Sequence, residues 1–103
     1  MRRNDRFRKY RLALRALRAE CPVDRPVRVR LEHTLAEKFG SCNETRNGKG
    51  FTITVFTKGS SASELRDTIV HEWAHAMAWG SETEHGPEWG VAYARAYRAT
   101  VED

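Results

Sequence analysis

Residues 61–77 read Ser-Ala-Ser-Glu-Leu-Arg-Asp-Thr-Ile-Val-His-Glu-Trp-Ala-His-Ala-Met. Ser61 and Glu64 match a capping box, which predicts a helix beginning near Ala62. Leu65, Ile69, Trp73, Ala76 and Met77 follow at helical spacing, and Gly80 suits the position just past the helix end. Inside that helix, His71 and His75 stand at i and i+4. Both therefore project from one face, about one turn apart, and together can bind one zinc ion. Glu72 lies beside the same face, within reach of a water on that metal, where it can act as a general base.

The third ligand has to come from outside the helix. One zincin class carries Gly and His three and six residues past the second histidine, but here those positions are Ala78 and Ser81. A glutamate from the following helix is an alternative, and Glu88 is its candidate. His85 is the better choice, because imidazole suits zinc and a residue at a turn can be aimed. Gly80 breaks the helix and residues 81–84 give the chain room to fold back, with Glu82 and Glu84 read as solvated turn residues. Asp67, four residues before His71, can orient a ligand histidine or instead stabilise the helix dipole.

Outward from this segment, Pro87 suits the first position of a further helix running to about Thr100, with Trp89, Tyr93 and Tyr97 on one stripe. Upstream, Val27, Val29 and Leu31 alternate with Arg28, Arg30 and Glu32, the pattern of a half-buried strand. A second extended segment spans Phe39 to Thr45. The turn Asn47-Gly48-Lys49-Gly50 then precedes a strand over residues 51–56, in which Phe51, Ile53 and Val55 share a face. These three strands read as a small meander, and the 51–56 strand as a cleft edge able to pair with extended peptide. Near the N-terminus, Phe7, Tyr10, Leu14 and Leu17 form one helical stripe in a helix from about residue 4 to 20, with Asn4 or Asp5 as N-cap. The expected fold class is α+β: a minimal zincin-like domain over residues 1–103, with an N-terminal helix, a small three-stranded sheet, an active-site helix and a C-terminal helix. Its metal-site core covers about 61–100.

Composition narrows the classes. Hydrophobic residues make up 40% of the chain, ordinary for a soluble fold, and no apolar run approaches the length of a membrane span. Arginines interrupt residues 1–20 throughout, leaving no apolar core for a secretory signal. The two cysteines, Cys21 and Cys42, are too few for a disulfide framework or a four-cysteine zinc site. The expected compartment is the cytoplasm, without membrane association. Residues 1–30 hold ten arginines and one lysine against three acidic residues. Such a basic segment can meet DNA, with Arg8, Arg11 and Arg15 as contacts, or it can be a solvated helix face.

The pattern Asp67-Thr-Ile-Val-His71-Glu72-Trp-Ala-His75-Ala76, followed by His85-Gly86-Pro87-Glu88-Trp89, resembles the SprT-like zinc metallopeptidases, including the Spartan type. By position, the resemblance implies His71, His75 and His85 as ligands of one catalytic Zn2+, and Glu72 as the catalytic base. It implies cleavage of protein or peptide substrates, often proteins bound or crosslinked to DNA. No CxxC pair occurs, so the likeness is to a minimal form without the zinc ribbon that many relatives carry. The expected function is that of a zinc-dependent metalloendopeptidase. The alternative is a nucleic-acid-associated binding protein whose zincin site is structural or weakly active.

Overall fold

The capping box forms in full. Ser61 Oγ accepts from the Glu64 amide at 3.1 Å, and Glu64 Oε1 accepts from the Ser61 amide at 2.8 Å. Two amides that the first helical turn leaves without partners are thereby satisfied. In this computed structural model, which describes residues 5–80 and 85–101, the elements in chain order are α1 (Arg8–Glu20), β1 (Val27–Glu32), β2 (Gly40–Glu44), β3 (Phe51–Phe56), α2 (Ala62–Met77) and α3 (Pro87–Thr100). This is the α+β arrangement expected. Asn4, Ser81, Glu82 and Glu84 lie outside the described residues. Among the described residues, no helix is long and apolar enough to cross a membrane.

Helix α1 begins later than its sequence suggests. Asp5 Oδ1 accepts from the Phe7 amide at 3.0 Å and its carbonyl accepts from the Arg8 amide at 3.2 Å. Asp5 therefore shapes a turn ahead of the helix, and Phe7, which has no side-chain acceptor, occupies the N-cap position. The apolar stripe packs inward as read: Tyr10 and Leu17 are buried, with Phe7 and Leu14 packed against the same cluster. Helix α2 supplies the opposite half of that core through Leu65, Ile69, Val70 and Trp73. The Trp73 indole N–H donates to the Cys21 carbonyl at 2.8 Å, fastening the end of α1 to α2. Burying each such aliphatic side chain contributes about 1.5–3 kcal/mol, so α2 owes its place to packing more than to its cap.

The sheet is not the meander expected from the sequence. Its order is β1-β3-β2, with β1 parallel to β3 and β2 antiparallel to it. Phe51, Ile53 and Val55 are fully buried, and the most apolar strand takes the centre, where both its edges are paired. The chain from β1 must then travel past the end of β3 to reach the far edge. Phe39 and Glu32 mark that crossing, their carbonyls accepting from the Phe56 and Thr57 amides at 2.9 and 3.0 Å. Strand β1 is an edge strand, and its Leu31, expected to face inward, is 48% exposed. The hairpin joining β2 to β3 is the turn foreseen: Asn47 Oδ1 accepts from the Lys49 amide at 2.9 Å, and Gly48 takes a φ of 73°.

Gly40 opens β2 at the point where the sheet meets α2. A Cβ there would lie 2.7 Å from Thr68 Cγ2, 2.8 Å from the Thr54 carbonyl oxygen and 3.3 Å from Glu72 Cγ. The Thr54 contact is backbone and cannot give way. Gly40→Ala should therefore cost about 1–3 kcal/mol of stability, the usual penalty of overpacking. Urea unfolding of the two proteins measures it, and equal midpoints would refute the close approach.

Candidate metal centre

Helix α2 presents His71 and His75 one turn apart, and both are half-buried. His85 reaches them from the start of α3, where Gly86 is the N-cap and Pro87 the first helical residue. Its Nε2 lies 3.1 Å from His75 Nε2 and 3.3 Å from His71 Nε2. A neutral imidazole nitrogen carries either a proton or a lone pair, so three converging nitrogens cannot all hydrogen-bond one another. Zinc at about 2.0–2.1 Å from tetrahedral nitrogen ligands places those nitrogens about 3.3–3.4 Å apart. The donor set thus fits a metal ion, and among the described residues His71, His75 and His85 form a group able to hold one. The other ligand considered, Glu88, lines a different groove beside Met77, Ala78 and Arg95.

His85 pays locally for this placement. Its φ of 60° lies in the left-handed region, uncommon for any residue but glycine, though His, like Asn and Asp, enters it more readily than most. Such conformations persist where surrounding structure holds them, and they concentrate at ligand clamps.

Glu72 is buried, with 7% of its surface exposed, and lines a cleft of about 710 Å³ together with the three histidines. The far wall is β2 and the residues before it, from Lys38 to Asn43, and Trp79 also lines the cleft. Here the sequence reading of the sheet needs correction. The 51–56 strand is β3, central and paired on both sides, so it offers no edge to a ligand. The strand bordering the cleft is β2, whose second edge pairs with no described strand. The signal that could have found it was Gly40, a small residue where strand and helix must touch.

Asp67 also borders the cleft, and its Oδ1 accepts from Arg66 Nε at 2.9 Å. Cys42 stands on the cleft wall. Burial, reinforced by the negative charge of Glu72, pushes its thiol up to about 12, so it stays protonated and a poor nucleophile near neutrality. Of the three tryptophans, Trp73 is buried, Trp79 is 40% exposed, and Trp89 stands against the histidines.

Some basic residues of the N-terminal third are tied into the fold. Arg6 donates to the Thr57 and Ser60 carbonyls, tying the N-terminal turn to the loop before α2. Arg18 donates to the Val27 carbonyl and lies over the Trp73 ring. These two serve the fold. Arg8, Arg11 and Arg15 are exposed on α1, with Arg11 paired to Asp5.

A family model described as the SprT-like family matches residues 7–102. No curated protein and no solved structure matches the chain.

Alanine at His71, His75 or His85 should each lower Zn2+ affinity by more than the roughly 10–100-fold that follows loss of a ligand's hydrogen-bond partner. Glu88→Ala should leave it unchanged. Chelator competition reads both, and full zinc retention in His85→Ala would remove His85 from the ligand set.

Proposed function

Because the chain belongs to the SprT-like family, we propose that it is a zinc-dependent endopeptidase acting on extended segments of protein. The observation that carries this reading is one juxtaposition. Three imidazoles converge, His85 Nε2 lying 3.1 and 3.3 Å from those of His75 and His71, close to the separation zinc requires, and Glu72 lines the same cleft. A purely structural zinc site closes its coordination with four protein ligands, whereas three histidines leave a position open for chemistry. Zinc held there supplies Lewis acidity, lowering the pKa of water and polarising a carbonyl.

The chain's own residues supply the rest. Glu72 takes a proton from the attacking water as its oxygen bonds to the peptide carbon. It then delivers that proton to the departing amide nitrogen as the C–N bond breaks. The open edge of β2 pairs with the substrate backbone as an added strand, which favours unfolded or extended segments over compact ones. Gly40 and Ser41 keep that edge low, so a peptide lies close to Glu72. Cys42 stays a neutral wall residue.

Glu72→Gln keeps the shape and removes the base. It should retain zinc while cleavage of an unstructured protein such as casein falls by about 10² or more. Cleavage that persists unchanged would exclude this mechanism. Zinc retention with no activity even in the wild-type protein would favour the alternative of a binding protein with a structural or weakly active site.

The exposed arginines of α1 support a second element of the proposal, that the substrates are proteins associated with DNA. Contact of Arg8, Arg11 and Arg15 with three phosphates gives a log–log salt slope of about −2.7 on duplex DNA. Charge reversal at these three positions should abolish that binding and leave cleavage of a short free peptide nearly intact. Electrophoretic shifts at two salt concentrations measure the slope. Absence of binding at low salt would leave α1 as a solvated face.

A further inference from the structure

Trp89, Tyr93 and Tyr97 recur every four residues along α3 and form a continuous stack. Trp89 and Tyr93 have ring centroids 4.9 Å apart at an interplanar angle of 20°, and Tyr93 and Tyr97 are 6.0 Å apart at 27°. The inner end of this stack meets the metal centre. The Trp89 ring centroid lies 5.1 Å from that of His71, 5.6 Å from that of His75 and 4.7 Å from that of His85. One side chain therefore touches three imidazoles delivered by two different elements. It meets His71 and His85 edge to face, the arrangement that aromatic quadrupoles favour.

The indole's polar group does not account for this placement. Trp89 Nε1 is buried with no hydrogen-bond partner among the described residues. Buried tryptophan usually finds a partner for that N–H, so a wide flat ring is kept here although no described residue pairs with its donor. His85 needs such a wall most, since its backbone sits in the left-handed region and Trp89 stands on the first turn of the helix that follows.

We propose that Trp89 is a positioning residue whose ring, backed by Tyr93, holds the three ligand imidazoles in their converging orientation before metal arrives. This rests on the metal centre described above and is independent of whether the loaded protein cleaves peptides. Ligand histidines are commonly oriented by hydrogen bonds from the other ring nitrogen, and here packing adds a second restraint.

The test compares Trp89→Leu and Trp89→Phe with wild type, each shown to be folded by circular dichroism. Zn2+ affinity is read by chelator competition and ligand geometry by the visible d–d bands of the Co2+-substituted protein. Trp89→Leu should lose about 10–100-fold in zinc affinity, the range seen when a ligand's supporting partner is removed, and its cobalt bands should shift or weaken. Trp89→Phe keeps an aromatic wall and should retain most of the affinity and the cobalt spectrum. Unchanged affinity and spectrum in folded Trp89→Leu would overturn the proposal, as would an equal loss in both variants. Should Trp89→Leu fail to fold, Tyr93→Leu takes its place, with weakened zinc binding expected and wild-type binding overturning the idea. A wild-type protein that binds zinc and cleaves nothing would sink the peptidase reading and leave this one standing.

Discussion

The packing of α2 between α1 and the sheet is the constraint on which the remainder of the structure depends. Leu65, Ile69 and Trp73 bury one side of the helix against Tyr10 and Leu17, while Thr68 and Glu72 meet β2 at Gly40. His71 and His75 lie between these packed faces and are half-buried. They therefore stand on a helix packed against α1, α3 and the sheet, and a helix so held sets their separation. His85 arrives differently, at a turn, with a left-handed backbone and Trp89 as its aromatic neighbour. The buried aliphatic residues of α2 fix its position, while the side chains of the proposed site divide between the half-buried His71 and His75 and the buried Glu72.

The cleft follows from strand order. With β3 in the centre, β2 becomes the edge nearest α2, and its open side looks onto the histidines. Had the strands formed a meander, β2 would lie in the middle and β3 would border the helix instead. The physical cause is the difference in apolar content. Phe51, Ile53 and Val55 are fully buried, whereas Gly40, Cys42 and Glu44 of β2 share the same face with little to bury. Burial favours placing the richer strand where helices cover it, and the polar strand goes to the rim.

Charge is divided by task in a way its total conceals. Arg6 and Arg18 serve as tethers, donating to carbonyls at the two ends of the core. Arg11 is engaged with Asp5, which in turn organises the start of α1. Arg8, Arg15 and Arg11, whose side chain stays 58% exposed despite its pair with Asp5, are the arginines of α1 on which the proposed DNA contact rests. Counting basic residues over residues 1–30 overstates that surface, because some of the charge is spent on structure.

What the chain determined by itself was local. The cap at Ser61 and Glu64, the period of the α2 apolar face, the turn at Asn47-Gly48 and the i, i+4 histidines depend on neighbours within a few residues, and each could be read directly. The choice of His85 over Glu88 could be reasoned from ligand chemistry, and the fold then brought His85 to the other two. The tertiary structure alone decided three things. It chose the strand order, since pairing partners far apart in sequence compete through total burial and no single strand records the outcome. It decided which arginines are tethers, since Arg6 meets carbonyls more than fifty positions away. It also gave Trp89 its place against three imidazoles, since periodicity marks an aromatic as buried without saying what it is buried against.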